Sequence, residues 1–184
     1  MVEAQPRQYR SLLGARPIEV ELAIAFLVAA CFARFGFSSR VLVASFFVAV
    51  LVVLSAIDIE RRVLPNRILF PATAVVLVAQ VALFPDRALE WIGAALAASL
   101  FMLLPFFASP RGLGMGDVKL AFFLGAGLGR EVATALLVGT LAAALFSLAL
   151  LFRKGIAARK STIPLGPFLA FGAVVAVLLD ARLF

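Results

Sequence analysis

Long apolar runs alternate with short polar segments along this chain, and this pattern predicts a bundle of transmembrane helices. Each run has roughly 16 to 21 residues, close to the ~20 residues that an α-helix needs to cross a membrane. The predicted spans are 18–37, 41–57, 68–84, 89–107, 113–128, 132–152 and 163–179. No internal repeat is visible in these runs. The predicted fold class is therefore all-α, a polytopic bundle of about seven transmembrane helices.

Three polar segments separate the even-numbered spans from the spans that follow them. In residues 58–67, Pro65 disfavours helical backbone at Leu64, so the chain is expected to turn there. Residues 108–114 contain glycine, proline and serine, which are typical of a loop. Residues 153–161 form a basic loop. Because each of these segments follows an even-numbered span, all three are expected on the same side of the membrane.

The basic residues predict which side that is, since cytoplasmic loops are enriched in Lys and Arg. With the N-terminus inside, the inner segments hold 12 of the 17 Lys and Arg residues, and the outer segments hold the other five. We therefore expect a cytoplasmic N-terminal segment at residues 1–16 and cytoplasmic polar segments around Asp58 and Asp117. The N-terminal segment shows no signal-peptide cleavage pattern before the first apolar run.

The composition indicates a membrane protein and narrows its partners. Of the 184 residues, 64% are hydrophobic and 15% are charged, whereas soluble domains are about half apolar and a quarter charged. The mean hydropathy is +1.12. We expect residues 1–184 to form a single membrane-embedded domain. The net charge of +7 lies mostly in short loops, so orientation and anionic lipid headgroups explain it better than nucleic acid does.

The scarcity of cysteine and histidine restricts the chemistry. Cys31 is the only cysteine, and the sequence contains no histidine. Ser-His dyads, HExxH metallopeptidases and four-cysteine zinc sites are therefore excluded within this sequence. We expect a reaction that needs no metal or cofactor and that uses carboxylates, lysine, hydroxyl groups or backbone.

Two aspartates at the ends of apolar runs are the candidate catalytic residues. Asp58 follows the second run, and Asp117 lies at the head of the fifth, within the sequence Gly114-Met115-Gly116-Asp117-Val118-Lys119. A helical rise of ~1.5 Å per residue puts Asp58 about 25 Å and Asp117 about 16 Å from the outer ends of their helices. In a hydrocarbon core of ~30 Å, both would lie in the cytoplasmic half and could meet. Ionisable residues there are costly and indicate function.

Each acid also has a structural interpretation. Asp58 alone is explained by an interfacial helix end, and Asp117 alone by an N-terminal charge that favours the helix dipole. Together, two carboxylates that share a proton can hydrolyse a peptide: one accepts a proton from water, and the other hydrogen-bonds the carbonyl oxygen. The pair titrates as a unit, so neither acid is assigned a fixed role.

The residues around Asp117 suit such a site. Gly114 and Gly116 lack a Cβ atom, so a substrate backbone could approach the acid closely. Lys119 lies about 200° from Asp117 around a helix, so the two side chains should not pair directly. Its ammonium is expected to reach the cytoplasmic interface or another acid.

Three motifs in order resemble the type IV prepilin peptidases, which are GxGD-type membrane aspartic peptidases. They are Asp58 followed by Leu64-Pro65-Asn66 and Pro71, the sequence GMGDVKL at 114–120, and IPLGPFLAFG at 163–172. The resemblance implies that Asp58 and Asp117 are catalytic. It also assigns supporting roles in the substrate and active-site loops to Pro65, Asn66, Gly114, Gly116 and Lys119.

The same resemblance implies a substrate and a location. The expected reaction is removal of the short basic leader from prepilins or pseudopilins at the cytoplasmic face of the bacterial inner membrane. The scissile bond follows a glycine and precedes the hydrophobic segment that becomes the N-terminal helix of the pilin. The partners implied are this leader and helix, together with the lipid bilayer. The resemblance implies no nucleic-acid partner, and it gives no information about the oligomeric state.

The sequence departs from the bifunctional bacterial members, which carry a cytoplasmic insertion with paired cysteines and also methylate the new N-terminus. It contains neither feature, so we expect peptidase activity, and methyl transfer stays an open question at this point. It also lacks the PALP and YD signatures of presenilin-like enzymes. Two alternatives remain: a small transporter that uses the same acids as proton or cation sites, and an inactive homologue that binds pilins without cutting them.

Overall fold

The computed structural model describes residues 17–108, 114–154 and 164–179, which form seven α-helices. The helices are α1 (Pro17–Phe35), α2 (Ser39–Arg61), α3 (Asn66–Leu83), α4 (Ala88–Ala108), α5 (Met115–Leu128), α6 (Val132–Lys154) and α7 (Gly166–Leu179). Two short 3₁₀ helices, Pro85–Arg87 and Gly129–Glu131, precede α4 and α6. Within these ranges there is no strand, which confirms the predicted all-α fold. The N-terminal segment 1–16 and most of the loops predicted at 108–114 and 153–161 lie outside the described residues.

Most of these helices have the length and hydropathy of membrane spans. Four helical stretches are long and apolar enough to cross a membrane: Ser39–Arg61, Asn66–Leu83, Pro85–Pro105 and Met115–Arg153, the last of which contains α5 and α6. The apolar helix α7 is shorter, with 14 residues. Helix α1 carries three charged residues and is not among the four stretches. The architecture is that of a multi-pass membrane bundle.

The helix boundaries lie close to those predicted, with one difference that matters for the site. The apolar run of α2 ends at Ile57, yet the helix continues to Arg61, so Asp58 lies within the last helical turn. Arg62 then adopts a left-handed conformation with φ 52°, and its N–H donates to the carbonyl oxygen of Asp58 at 2.8 Å. As Pro65 predicts, the backbone from Val63 to Pro65 is non-helical.

Helix α5 lies at the centre of the bundle. It packs against α3, α4 and α7, while α2 packs against α1, α3 and α7. Helices α2 and α5 meet through Phe47 and Phe123, whose ring centroids are 4.9 Å apart. Most residues of α5 from Val118 to Leu128 are buried. A helix surrounded in this way needs apolar residues on every face, which explains the lack of a polar stripe along α5.

Glycines permit the closest helix crossings. A Cβ atom at Gly125 of α5 would stand 2.5 Å from the carbonyl oxygen of Ala94 in α4. In the same way, a Cβ at Gly139 of α6 would stand 2.8 Å from the carbonyl oxygen of Phe168 in α7. Small residues at such positions allow two helix backbones to approach within membranes.

Polar contacts fix the C-terminal end of α5. The buried Gln80 side chain of α3 donates to the carbonyl oxygen of Gly127 at 3.0 Å. Next to it, Glu90 of α4 accepts hydrogen bonds from Arg87 at 2.9 Å and from Arg130 at 3.2 Å. These contacts hold α5 in place along its axis, and the opposite end of α5 carries Asp117.

Candidate active site

Asp58 lies at the end of α2 and faces the start of α7. Asp58 is buried, with only 6% of its surface exposed. The backbone N–H of Gly166, the first residue of α7, donates to Asp58 Oδ2 at 3.1 Å. This hydrogen bond joins residues 108 positions apart in the chain. It fixes one oxygen of a buried carboxylate against the N-terminus of a helix.

Asp117 is held by a similar contact at the start of α5. Gly114 is the N-cap residue, and its N–H donates to Asp117 Oδ2 at 3.1 Å. In return, the N–H of Asp117 donates to the carbonyl oxygen of Gly114 at 3.0 Å. An acid at the third helical position commonly closes a cap in this way. The same bond therefore starts the helix and orients the carboxylate.

The structure brings the two acids into one region. Asp58 lies in the last turn of α2, and Leu64, in the turn after that helix, packs against Gly116, the residue before the partly exposed Asp117. Each acid uses Oδ2 to accept a glycine N–H, and among the described residues no other hydrogen bond reaches either side chain. One oxygen of each carboxylate therefore remains available for water, a proton or a substrate carbonyl.

Gly116 has a neighbour that the sequence does not indicate. A Cβ atom at this position would lie 3.3 Å from the Leu64 side chain, in the turn between α2 and α3. The space beside Gly116 is thus taken by the protein itself, which lets the start of α5 pack against this turn. At Gly114, a Cβ would lie 3.5 Å from Asp117 Oδ2, an ordinary contact distance.

Lys119 links the starts of α3 and α5. Its Nζ donates to Asn66 Oδ1 at 3.0 Å and lies 5.4 Å from the centroid of the Phe70 ring. Pro65 is the N-cap residue of α3, and Asn66 is the first residue of that helix. The expectation that Lys119 does not pair with Asp117 agrees with these contacts. Its partner, however, is an amide oxygen and an aromatic face and not another acid.

Gly166 contributes to the site, although the sequence identifies only the motif that contains it and not the residue. Residues 163–172 stand out as a sequence pattern, and a glycine has no side chain to suggest chemistry. The contact with Asp58 depends on α2 and α7 being neighbours, which neither apolar run reveals. The one feature of the sequence that draws attention to Gly166 is that Pro167 follows it directly within the motif.

An apolar groove of about 410 Å³ lies beside Asp58, between α1, α2 and α7. Its lining includes Ser55 and Ile59 of α2 and Pro167 of α7. Ile59 and Pro167 directly follow Asp58 and Gly166 in the sequence, so one end of the groove lies near these two residues. Within the described residues, no group of three or more acids and cysteines is placed to hold a metal ion.

Comparison with known proteins gives consistent matches over most of the chain. A family model described as the type IV leader peptidase family matches residues 45–181. A Burkholderia pseudomallei protein named prepilin leader peptidase/N-methyltransferase is 34% identical over 173 residues, which are 90% of this chain and 55% of that protein. A Bacillus subtilis protein of the same name is 31% identical over 159 residues, 86% of this chain and 64% of that protein.

A similarly named Pseudomonas aeruginosa protein is 29% identical over 175 residues, which cover 92% of this chain and 60% of that protein. The chain thus spans between 55% and 64% of the length of these relatives. No solved structure matches.

Proposed function

This chain belongs to the type IV leader peptidase family, and we therefore propose that it is an aspartic endopeptidase embedded in the bacterial inner membrane. In this proposal, Asp58 and Asp117 together activate the water that hydrolyses the peptide bond. The substrate is the leader peptide of a type IV prepilin or pseudopilin. Pro65, Asn66, Gly114, Gly116 and Lys119 support the loops and helix starts around the two acids.

One observation carries the proposal: the end of α2 and the start of α5, which approach each other where Leu64 packs against Gly116, each carry an acid with one oxygen held by a glycine N–H. Asp58 comes from α2 and Asp117 from α5. Placing two carboxylates together in a mostly apolar bundle costs free energy, which makes a purely structural role a poor explanation. The family membership then supplies the class of reaction.

The proposed mechanism needs one proton on the pair. The ionised carboxylate takes a proton from water while the water oxygen attacks the carbonyl carbon of the scissile bond. The protonated carboxylate donates a hydrogen bond, and then its proton, to the carbonyl oxygen. When the resulting gem-diol collapses, the C–N bond breaks, the leaving nitrogen takes a proton from one carboxylic acid, and a hydroxyl group of the gem-diol returns its proton to the other carboxylate as the new carbonyl forms. The new acid and amine termini depart, and the pair again holds one proton.

The distribution of charge supports cleavage at the cytoplasmic side. With the N-terminus inside, most Lys and Arg residues and both acids face the cytoplasm. A short basic leader stays on that side because moving positive charge across a membrane is costly. The apolar groove beside Asp58 suits the hydrophobic segment that follows the scissile bond. The acids then lie where the leader meets the membrane.

The test uses purified protein in detergent and a prepilin-like peptide with a basic leader, a glycine and an apolar segment. We expect the wild type to release the leader, with the cut after the glycine located by mass spectrometry. Asp58→Asn and Asp117→Asn keep the side-chain shape but cannot take or give the proton. Each should lower the cleavage rate by about 10³-fold or more, within the range typical of acid–base catalysis.

Glu60→Gln is the matched control, since Glu60 is an exposed acid in the same last turn of α2. It makes the same acid-to-amide change two residues from Asp58 and should leave the rate within about twofold, as an exposed surface substitution usually does. Near wild-type cleavage by either aspartate variant would refute the two-acid mechanism. A folded wild type that binds such peptides but transports protons without cutting them would favour a carrier instead.

A further inference from the structure

We infer that Gly166 is a positioning residue that sets the orientation of Asp58, and that its place can be taken only by a residue without a side chain. The inference rests on the proposed function, because Gly166 acts on the reaction through Asp58. It concerns the motif at 163–172, to which the mechanism above gives no part. Its basis is one hydrogen bond and the space around it.

The amide of Gly166 is free to bind a carboxylate because of its place in α7. The first N–H groups of a helix have no partner within that helix. In α7, the N–H groups of Phe168 and Leu169 already bind the carbonyl oxygen of Leu165. The N–H of Gly166 points instead at Asp58 Oδ2, at 3.1 Å. Helix α7 thus offers its positive end to a buried acid of α2.

The space beside Gly166 is occupied by the acid itself. A Cβ atom there would stand 2.6 Å from Asp58 Oδ2, 3.1 Å from its Cγ and 3.4 Å from its Cβ. The first distance is far below van der Waals contact, so the carboxylate would have to turn away from the amide. The φ angle of Gly166 lies outside the left-handed region. Glycine is therefore required for the contact with Asp58 and not for an unusual backbone conformation.

Neither helix has room to absorb the change. Asp58 is itself buried on α2, and its side chain is short, so the carboxylate has little freedom to move. On its other side, α7 packs closely on α6, where a Cβ at Gly139 would stand 2.9 Å from the Cα of Leu169. Pro167 follows Gly166 and restricts the first turn of α7 further. A methyl group at position 166 would therefore displace the Asp58 carboxylate before it displaced the helices.

Gly114 provides an internal comparison. It binds Asp117 Oδ2 through the same kind of N–H bond at the same 3.1 Å. A Cβ there, however, would lie 3.5 Å from that oxygen, which is ordinary contact. The two acids are anchored alike, but only Asp58 is packed against the α-carbon of its donor. Substitution by alanine should consequently affect the Asp58 side far more than the Asp117 side.

The first test measures kcat and KM for cleavage of the prepilin-like peptide by full-length Gly166→Ala, Gly114→Ala and Gly93→Ala proteins. A displacement of about 1 Å at a reacting group can cost ~10²-fold in rate. We expect Gly166→Ala to lower kcat by about that factor while KM stays within about threefold, since the substrate-binding surfaces remain. For Gly114→Ala, the fold decrease in kcat should be less than about a tenth of the decrease for Gly166→Ala. At Gly93, an added Cβ would meet no atom within 4 Å, and the alanine variant should match the wild type.

The second test does not depend on activity. Thermal unfolding in detergent is measured for Gly166→Ala in the wild-type background and in an Asp58→Ala background, where the carboxylate is gone. We expect Gly166→Ala to lower the melting temperature, or to prevent folding, only when Asp58 is present. An equal loss in both backgrounds would overturn the inference, as would an unchanged kcat in an active protein. If the wild type cuts no leader peptide, the proposed function fails, and the unfolding data alone decide whether position 166 acts on Asp58.

Discussion

At the scale of single residues, each acid places Oδ2 against a glycine N–H at the start of a helix. This arrangement fixes the carboxylate plane and leaves the other oxygen for chemistry. The side chains that carry charge are visible in the sequence, because an acid within an apolar run is unusual. The role of Gly166 is not visible in the sequence, because this residue contributes a backbone amide and the absence of a side chain. Only the packing of α7 on α2 reveals it.

The interaction of Lys119 with Asn66 leads to a prediction about stability. Lys119→Met keeps most of the apolar stem but removes the 3.0 Å hydrogen bond and the cation over the Phe70 ring. Since the contact is exposed, we expect the free energy of unfolding to fall by about 1 kcal/mol or less. The cleavage rate should fall less than tenfold, because Lys119 contacts neither carboxylate. Denaturant titration in mixed micelles and the peptide assay measure the two effects.

A double-mutant cycle provides the control for this contact. Asn66→Leu removes the same hydrogen bond from the other side, so the double variant should be less destabilised than the sum of the two single variants. A coupling of about 0.5–1 kcal/mol is the size expected for residues in direct contact. Strict additivity would show that Lys119 and Asn66 do not interact in solution.

At the scale of helices, the apolar runs predict where the spans lie but not where their ends fall. The pattern assigns residues Asp58 to Arg61 to a polar segment, yet they continue α2. Hydrogen bonding along a helix does not require apolar side chains, so a helix can extend beyond its membrane-facing run. The extension matters, because it fixes Asp58 on a helical turn instead of a loop. Pro65 does predict the turn that follows, since its ring restricts the preceding residue.

The crossing of α4 and α5 yields a prediction of destabilisation. Gly125→Ala would put a methyl group 2.5 Å from the backbone of Ala94 and Ala95, which cannot move without shifting α4. We expect a loss of about 1–3 kcal/mol in the free energy of unfolding, as is typical of overpacking. Because α5 carries Asp117, the cleavage rate should fall as well. Unfolding in mixed micelles, followed by circular dichroism, measures the loss.

The control for this substitution is Gly93→Ala, on a part of α4 where the new methyl group meets no atom within 4 Å. Alanine is favoured over glycine within a helix by about 0.5–1 kcal/mol. This variant should therefore be as stable as the wild type or slightly more stable. Equal stability of the Gly125→Ala and wild-type proteins would contradict the close crossing of α4 and α5.

At the scale of the whole molecule, α5 lies at the centre of the bundle. Helix α2 contributes Asp58 to the site, and α7 contributes Gly166. The sequence predicts a site between the second and fifth helices, because two acids at similar depth can meet. It does not predict that α7 packs on α2, since both are uniformly apolar runs with no pattern that selects a neighbour. The contact of Gln80 with Gly127, which fixes α5 along its axis, is equally hidden in an apolar run.

The central claim is that Asp58 and Asp117 act as one catalytic unit. It is tested most directly by the cleavage rates of Asp58→Asn, Asp117→Asn and the double variant on one prepilin-like peptide. Residues that act as a unit are strongly non-additive. We predict that each single variant loses about 10³-fold or more and that the double variant loses no more than about threefold beyond either one. Losses that multiply in the double variant, or a single variant that cleaves at nearly the wild-type rate, would contradict the account.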